Sequence, residues 1–306
     1  MLHLRKVTVI GLGLLGGSVC LAVSRAMSGV RTAGFAHRSS TRAKARRLKV
    51  ADEVFDDMRA SVAEADICIL ATPVCTFERI LREIADALPA GAIVTDVGST
   101  KAMPHRWAAK NLPKSIYYVG SHPIAGSEQR GIEFARDDLF DRTLCVLTTA
   151  PRLGSTALTT GRSGQAKTTN RRALRVLKEF WSALGCYVKI MSPAEHDRIL
   201  ANVSHLPHIT AAALVNASDA EELKFAGKGF MDSSRIASGP PNIWADVLLT
   251  NAKNTVRGID RLISQLVKLK KAISAGDRKG IEKLLEAARA KRSKLVKYRM
   301  SREELI

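Results

Sequence analysis

No stretch of the 306-residue chain approaches the roughly 20 uninterrupted apolar residues that a membrane-spanning helix needs. That excludes a helical membrane protein, and no membrane partner is expected. Met1 to Ile10 runs straight into a strand-like segment, without a long apolar signal region or a small-residue cleavage site, so no export is expected. The five cysteines, Cys20, Cys68, Cys75, Cys145 and Cys186, are odd in number and scattered, mostly through apolar segments. They offer no disulfide framework and point to reduced thiols and a cytoplasmic protein. Aromatic residues are scarce at 5%, and no nucleic-acid-binding motif is present. Acidic residues are outnumbered 29 to 48, for a net charge of +19.

That charge is unevenly placed. Residues 151–176 carry six Lys/Arg and no Asp/Glu, and residues 251–306 carry sixteen against six. These two stretches hold +16 of the +19 and leave the rest nearly balanced. The charge reads as a solvated helix face plus a loose loop appended to a fold, and no specific nucleic-acid partner is expected.

Short apolar runs alternate with helical patterns through the first two thirds of the chain. Val7–Ile10, Thr32–Phe35, Ala65–Ala71, Ala92–Asp96, Ile116–Val119, Leu144–Leu147 and Tyr187–Met191 read as strands. Leu15–Met27, Ser40–Leu48 and Phe77–Leu88 between them have helical spacing. Such alternation predicts a doubly wound, mostly parallel sheet over residues 1–190. The pattern fails at about 151–170, where a small, polar, basic run reads as a mobile surface insertion. From 191 to 306 the strand signal stops, and long helices are predicted over 194–218, 243–269 and 279–300. Leu262, Leu266, Leu269 and Ile273 form an apolar stripe in this second, all-helical domain.

Gly11-Leu12-Gly13-Leu14-Leu15-Gly16 follows the first strand and opens a helix. In that context Gly11 permits a tight turn, Gly13 allows the backbone to approach a pyrophosphate, and Gly16 lets helix pack on strand. The helix N-terminus adds unpaired N–H groups for phosphate. Thr72-Pro73, at the end of the Ala65–Ala71 strand, completes the expected cofactor contacts. A carboxylate is expected about 20 residues after the loop to bind the adenosine ribose. Here the segment is Ala36-His37-Arg38-Ser39-Ser40, with Arg42 beyond. Small, basic and hydroxyl groups at His37, Arg38 and Ser39 suit a 2′-phosphate, so NADP is expected ahead of NAD.

Three further segments gather polar residues. Asp96-Val97-Gly98-Ser99-Thr100-Lys101 ends a strand, where open α/β sheets bind ligands. Gly120 to Glu128 places His122 between a strand end and a Gly-rich loop, a setting for a general base. Asp197, Ala201, Ser204 and His208 fall on one face of a regular helix. His196, His205 and His208 raise the question of a metal, but no Cys or carboxylate set accompanies them and no metal site is expected.

Together these blocks resemble the prephenate/arogenate (cyclohexadienyl) dehydrogenases. The likeness rests on Gly11 to Ser18, Asp96 to Lys101, His122-Pro123-Ile124-Ala125-Gly126-Ser127-Glu128, His196-Asp197 through Ser204-His205-Leu206-Pro207-His208, and Gly229 to Ala237. It implies a Rossmann-type α/β domain followed by an all-α helical dimerisation domain, and a homodimer. It also implies hydride transfer from a cyclohexadienol to NAD(P)+, with loss of carbon dioxide as the ring aromatises. In that likeness His122 takes the hydroxyl proton and Ser99 helps hold His122 and the hydroxyl. Arg235 clamps a carboxylate, and His208, Ser204, His205 and Glu128 line the substrate pocket. A β-hydroxyacid dehydrogenase would carry a catalytic Lys on the domain-joining helix, where this chain has His205 and His208. A non-catalytic nucleotide-sensing or nucleic-acid-binding protein is the other alternative.

Overall fold

The computed structural model describes residues 4–125, 129–149 and 163–303, with side chains described outside 163–170 and 298–303. The chain divides into two compact units, Met1–Ala252 and Lys253–Ile306. In the first unit, six parallel strands run in the order β3-β2-β1-β4-β5-β6. They are β1 (Lys6–Ile10), β2 (Arg31–Phe35), β3 (Glu53–Phe55), β4 (Ile67–Leu70), β5 (Ile93–Asp96) and β6 (Tyr117–Tyr118). β4 is apolar throughout and β1 is apolar except for Lys6 and Thr8, and both are wholly buried, as strands covered by helices on both faces must be. The chain reverses direction across the sheet between β1 and β4, which opens a crevice at their carboxyl ends.

A second, three-stranded sheet of β7 (Gly120–Pro123), β8 (Leu144–Thr148) and β9 (Tyr187–Met191) was not separated from the first by the strand pattern. β7 is antiparallel to β8, pairing His122 with Val146, and β9 is parallel to β8. His122 therefore sits within a strand rather than in a loop after one. The expected insertion at 151–170 is shortened at its carboxyl end, because the helix Ser163–Ala183 begins inside it, while 151–162 lie outside the described residues.

After β9 every described element is helical. The rod from Pro193 to Asn216 starts on a Ser192 cap whose side chain accepts from Glu195 N–H, with Pro193 in the first turn. It is not regular: Ala201–His205 forms a π turn. Pro207 explains the opening. It has no N–H for the Val203 carbonyl, and its ring would press on that oxygen in a regular α turn. In the second unit, Val256, Ile263, Leu266, Val267 and Ile273 of the helix Ala252–Ser274 stand exposed.

The glycine loop is set by close packing. Gly11 has φ +108° and its N–H bonds the Phe35 carbonyl at 2.8 Å. A Cβ on Gly16 would lie 1.9 Å from the Gly11 carbonyl oxygen, whereas one on Gly13 would meet nothing within 4 Å. Gly16→Ala is therefore expected to force helix and strand apart and destabilise the fold by at least about 1–3 kcal/mol. Gly13→Ala should leave the melting midpoint nearly unchanged. Equal midpoints for the two variants in thermal denaturation would contradict this.

Candidate active site

The glycine loop, the end of β4 and the end of β5 meet at the crevice. The Gly11 Cβ position lies 2.8 Å from Thr72 Cγ2, and Thr72 and Thr76 share a hydroxyl bond of 2.7 Å. The helix Leu14–Ala26 has Gly13 as its N-cap, no side-chain cap and no acid in its first turn. Its first N–H groups thus face the crevice with a positive dipole end, which fits a pyrophosphate. Leu12 is buried against Gly34, and Leu14 and Leu15 pack on the core, so these three offer backbone and not side chains to a ligand. After β2, His37, Arg38 and Ser39 are exposed, and Arg38 caps the helix Ser39–Arg47 without an acidic residue in its first turn. Arg42 is differently occupied. It bonds the carbonyls of Ala36 and His37 at 2.7 and 2.9 Å and pairs with Asp56 at 2.7 Å. It shapes the loop rather than reaching out of it.

The loop after β5 is anchored from within. Asp96 accepts from Gly98 N–H at 2.8 Å, from the Tyr118 hydroxyl at 2.6 Å and from the Lys101 ammonium. Asp96 and Lys101 are fully buried, so the pair is held by hydrogen bonds in a setting where either charge alone would be costly. This frame carries Ser99, which is half-buried. Ser99 does not hold His122, however. Among the described residues it makes no hydrogen bond to His122, whose Nδ1 instead lies 2.8 Å from His196 Nε2. His196 Nδ1 is in turn 2.8 Å from Asp197 Oδ1. The same carboxylate accepts from Lys101 N–H and Ala102 N–H, each at 2.8 Å. It caps the helix Ala102–Asn111, which has no side-chain cap of its own. On the other side, Ser121 bonds Thr95 at 2.6 Å and accepts from the buried Trp181 indole at 3.0 Å, fixing β7 beside β5.

The π turn changes the helix face predicted from regular spacing. Asp197, Ala201 and His205 point inward and are buried, while Ser204 is only half-buried. A π turn advances less per residue than an α turn, so it brings His205 rather than Ser204 round to the Asp197 side. His205 Nδ1 lies 3.3 Å from the Asn251 amide, and its Nε2 has no partner among the described residues. His208 stacks on Trp244 at 3.6 Å and 8°, and its Nδ1 is likewise buried without a partner. Arg235, exposed, opens the short turn Arg235–Ser238 that packs against the His208 helix. The helix Pro241–Thr250, which supplies Trp244, is tied to the crevice by Cys75 N–H to Asp246 at 3.1 Å and by Thr100 to Thr250 at 2.8 Å. Glu128 lies outside the described residues.

His196 and Asp197 are the residues to which sequence reasoning assigned no function. The adjacent His-Asp pair in a buried helix turn was the available signal. Among the described residues, no group of three or more His, Cys, Asp or Glu side chains is arranged to hold a metal. Nor is any described helix long and apolar enough to cross a membrane.

Burial sets the protonation of this cluster. It pushes His122 well below the usual histidine value, helped by the neighbouring His196 ring, the Lys101 ammonium and the His205 ring. It also lowers His196 and His208. His105, bonded to Thr148 at 3.0 Å, and His205 are both lowered from 6.5 to about 4, with burial the main cause. An unfolded chain therefore binds protons at these sites that the folded chain refuses. Stability is complete above about pH 6.5 and is lost as pH falls toward about 4. The thermal midpoint should decline between about pH 6.5 and pH 5, above the usual carboxylate range. His105→Gln should flatten part of that slope, and a midpoint constant over this interval would contradict the assignment.

Residues 19–163 match the family model for the nucleotide-binding domain of prephenate dehydrogenase, and residues 192–287 match the model for its dimerization domain. The chain is 32% identical to prephenate dehydrogenase of Bacillus subtilis over 91% of its own length and 73% of that protein. It is 30% identical to cyclohexadienyl dehydrogenase of Zymomonas mobilis, over 89% and 90%. Among solved structures, prephenate dehydrogenase from A. aeolicus in complex with hydroxyphenyl propionate and NAD+ superposes with a TM-score of 0.84. The two are 29% identical, covering 96% of this chain and 99% of the other. A parallel six-stranded sheet with a glycine loop after its first strand, joined to a helical half that matches the dimerization model, places this chain in the prephenate dehydrogenase family.

Proposed function

We propose that this NAD(P)-dependent dehydrogenase oxidatively decarboxylates prephenate to 4-hydroxyphenylpyruvate, a step of tyrosine biosynthesis, with arogenate as the alternative ring substrate. The observation that carries the reading is a buried, neutral His122 beside the carboxyl ends of the parallel strands, in a chain of this family. When bound, the nicotinamide accepts hydride from the hydroxyl-bearing ring carbon. The hydroxyl proton goes to His122, the bond to the ring carboxylate breaks, its electron pair completes the aromatic ring as carbon dioxide leaves, and His122 returns the proton to the phenolate oxygen. Because burial holds His122 neutral, its lone pair is available throughout the neutral range. Ser99 is positioned by the Asp96–Lys101 frame to bond the hydroxyl, acting on the substrate rather than on His122. His205 and His208, each with a buried unpartnered ring nitrogen, line the substrate pocket together with Ser204. Arg235 grips a substrate carboxylate, since guanidinium offers two parallel donors. The functional division of the chain falls at about residue 191, with the nucleotide domain before it and the substrate and dimerisation domain after. The protein acts in the cytoplasm, in keeping with five free cysteines, four of them buried.

Steady-state assays crossing prephenate and arogenate with NAD and NADP test this reading, and no turnover with either substrate would overturn it. His122→Asn should lower kcat by about 10²–10⁴ with a small change in KM. Near-normal turnover in that variant would remove His122 from the reaction.

NADP is the preferred cofactor in this proposal. The first turn after β2 offers Arg38, Ser39 and a helix N-terminus without a carboxylate, a setting that attracts a 2′-phosphate. The preference should weaken with salt, since Arg38 is exposed. Arg38→Asp should shift the NADP/NAD ratio of kcat/KM toward NAD by about tenfold or more, adding repulsion where attraction is lost. A preference for NAD in the unmutated protein would refute the assignment.

A homodimer through the helical half is expected as well. The exposed apolar row Val256, Ile263, Leu266, Val267 and Ile273 supports it, as does the match to a dimerization domain. Sedimentation at micromolar concentration should give twice the 33.2 kDa chain mass, and a monomer would contradict it.

A further inference from the structure

His122 has two ring nitrogens, and a base needs its lone pair on the correct one. The chain of contacts behind it decides which. The Asp197 carboxylate has only lone pairs to offer, and it already accepts from Lys101 N–H and Ala102 N–H. At 2.8 Å from Asp197, His196 Nδ1 must therefore be the donor. His196 is fully buried and held neutral by that burial, so its Nε2 carries a lone pair and accepts. At 2.8 Å from it, His122 Nδ1 must carry the hydrogen. The lone pair of neutral His122 is left on Nε2. This is the reverse of the tautomer that free imidazole side chains prefer, so the protein has to enforce it.

We infer that His196, oriented by Asp197, is a positioning residue that sets the Nδ1–H tautomer of His122 and presents its Nε2 lone pair as the base. The inference rests on the proposed role of His122 but can fail independently of it. It also gives a reason for the doubled use of Asp197. The amides of a helix N-terminus hold the carboxylate still, and the carboxylate holds His196 still. A ring at the end of two such bonds has little freedom to flip.

Long-range proton–nitrogen spectra of substrate-free protein labelled with [15N]histidine test it. The signals of His122 are assigned by their loss in His122→Asn. Nδ1 of His122 should be protonated and Nε2 not, near neutral pH. In His196→Leu the proton should move to Nε2 or divide between the two nitrogens. In His196→Gln, whose carbonyl oxygen takes the place of the lost acceptor, Nδ1 should stay protonated. Turnover should follow the tautomer: kcat falls about 10–100-fold in His196→Leu, with KM little changed, and largely recovers in His196→Gln. A wild-type His122 protonated on Nε2 would overturn the inference, as would full turnover in His196→Leu. Should the leucine variant fail to fold, the wild-type spectrum and the glutamine variant still decide. Full activity in His122→Asn would instead reject the role of His122 as base while leaving the tautomer assignment standing.

Discussion

The carboxylate of Asp197 is the constraint around which the site is organised. It reaches from the helical rod to the N-terminus of the helix Ala102–Asn111, 95 and 96 residues away in sequence, and accepts two of its free N–H groups. It also accepts from His196, and its own backbone carbonyl accepts from Asn251 at 2.7 Å. A carboxylate buried to this degree would cost several kcal/mol if left alone. Here it meets the positive end of a helix and three N–H donors, so the burial is supported. The helical rod is thereby registered against the loop Asp96–Lys101 and against β7, which carries His122. Moving Asp197 would disturb a helix cap, a helix-to-sheet contact and a histidine orientation together.

The histidines illustrate why neutrality matters. His105, His122, His196, His205 and His208 are all lowered by burial. As neutral rings each offers one donor and one acceptor, and the fold uses them pairwise: His122 with His196, His196 with Asp197, His105 with Thr148. Among the described residues, two buried ring nitrogens have no hydrogen-bond partner, His205 Nε2 and His208 Nδ1. An unsatisfied buried polar atom costs about 1–3 kcal/mol. Keeping two of them within one helical turn is unfavourable for stability alone and is consistent with a site that receives a polar ligand. The stacking of His208 on Trp244 fixes the ring plane without consuming either nitrogen.

The basic charge has a simpler explanation than its size suggests. In the second unit Arg278 pairs with Glu282 and Arg289 with Glu286, one helical turn apart on exposed faces. Such pairs contribute only a few tenths of a kcal/mol and keep a long helix solvated. Near β2 the arginines divide their work. Arg42 and Arg46 share Asp56 and secure the loop, and this leaves Arg38 as the arginine at the helix N-terminus.

Much of the fold was legible in the chain. Apolar runs of four or five residues separated by helical spacing can only be strands buried on both faces, and a glycine loop between the first strand and helix marks the phosphate end. His122 and the Ser204–His208 block were legible as chemistry because polar residues at strand ends and on an otherwise apolar helix are expensive without a use. Three features lay beyond that pattern. Pro207 opened a π turn, and a one-residue slip in a helix cannot be read from spacing that assumes regularity. β7 pairs antiparallel with β8 in a second sheet, while its Ser121 bonds Thr95 and Trp181 across 26 and 60 residues. The partner of His122 proved to be His196, 74 residues on, and not Ser99. A hydrogen bond depends on where two nitrogens stand to within a few tenths of an ångström. Sequence determines which groups are available, and only the packed backbone brings a particular pair to that distance.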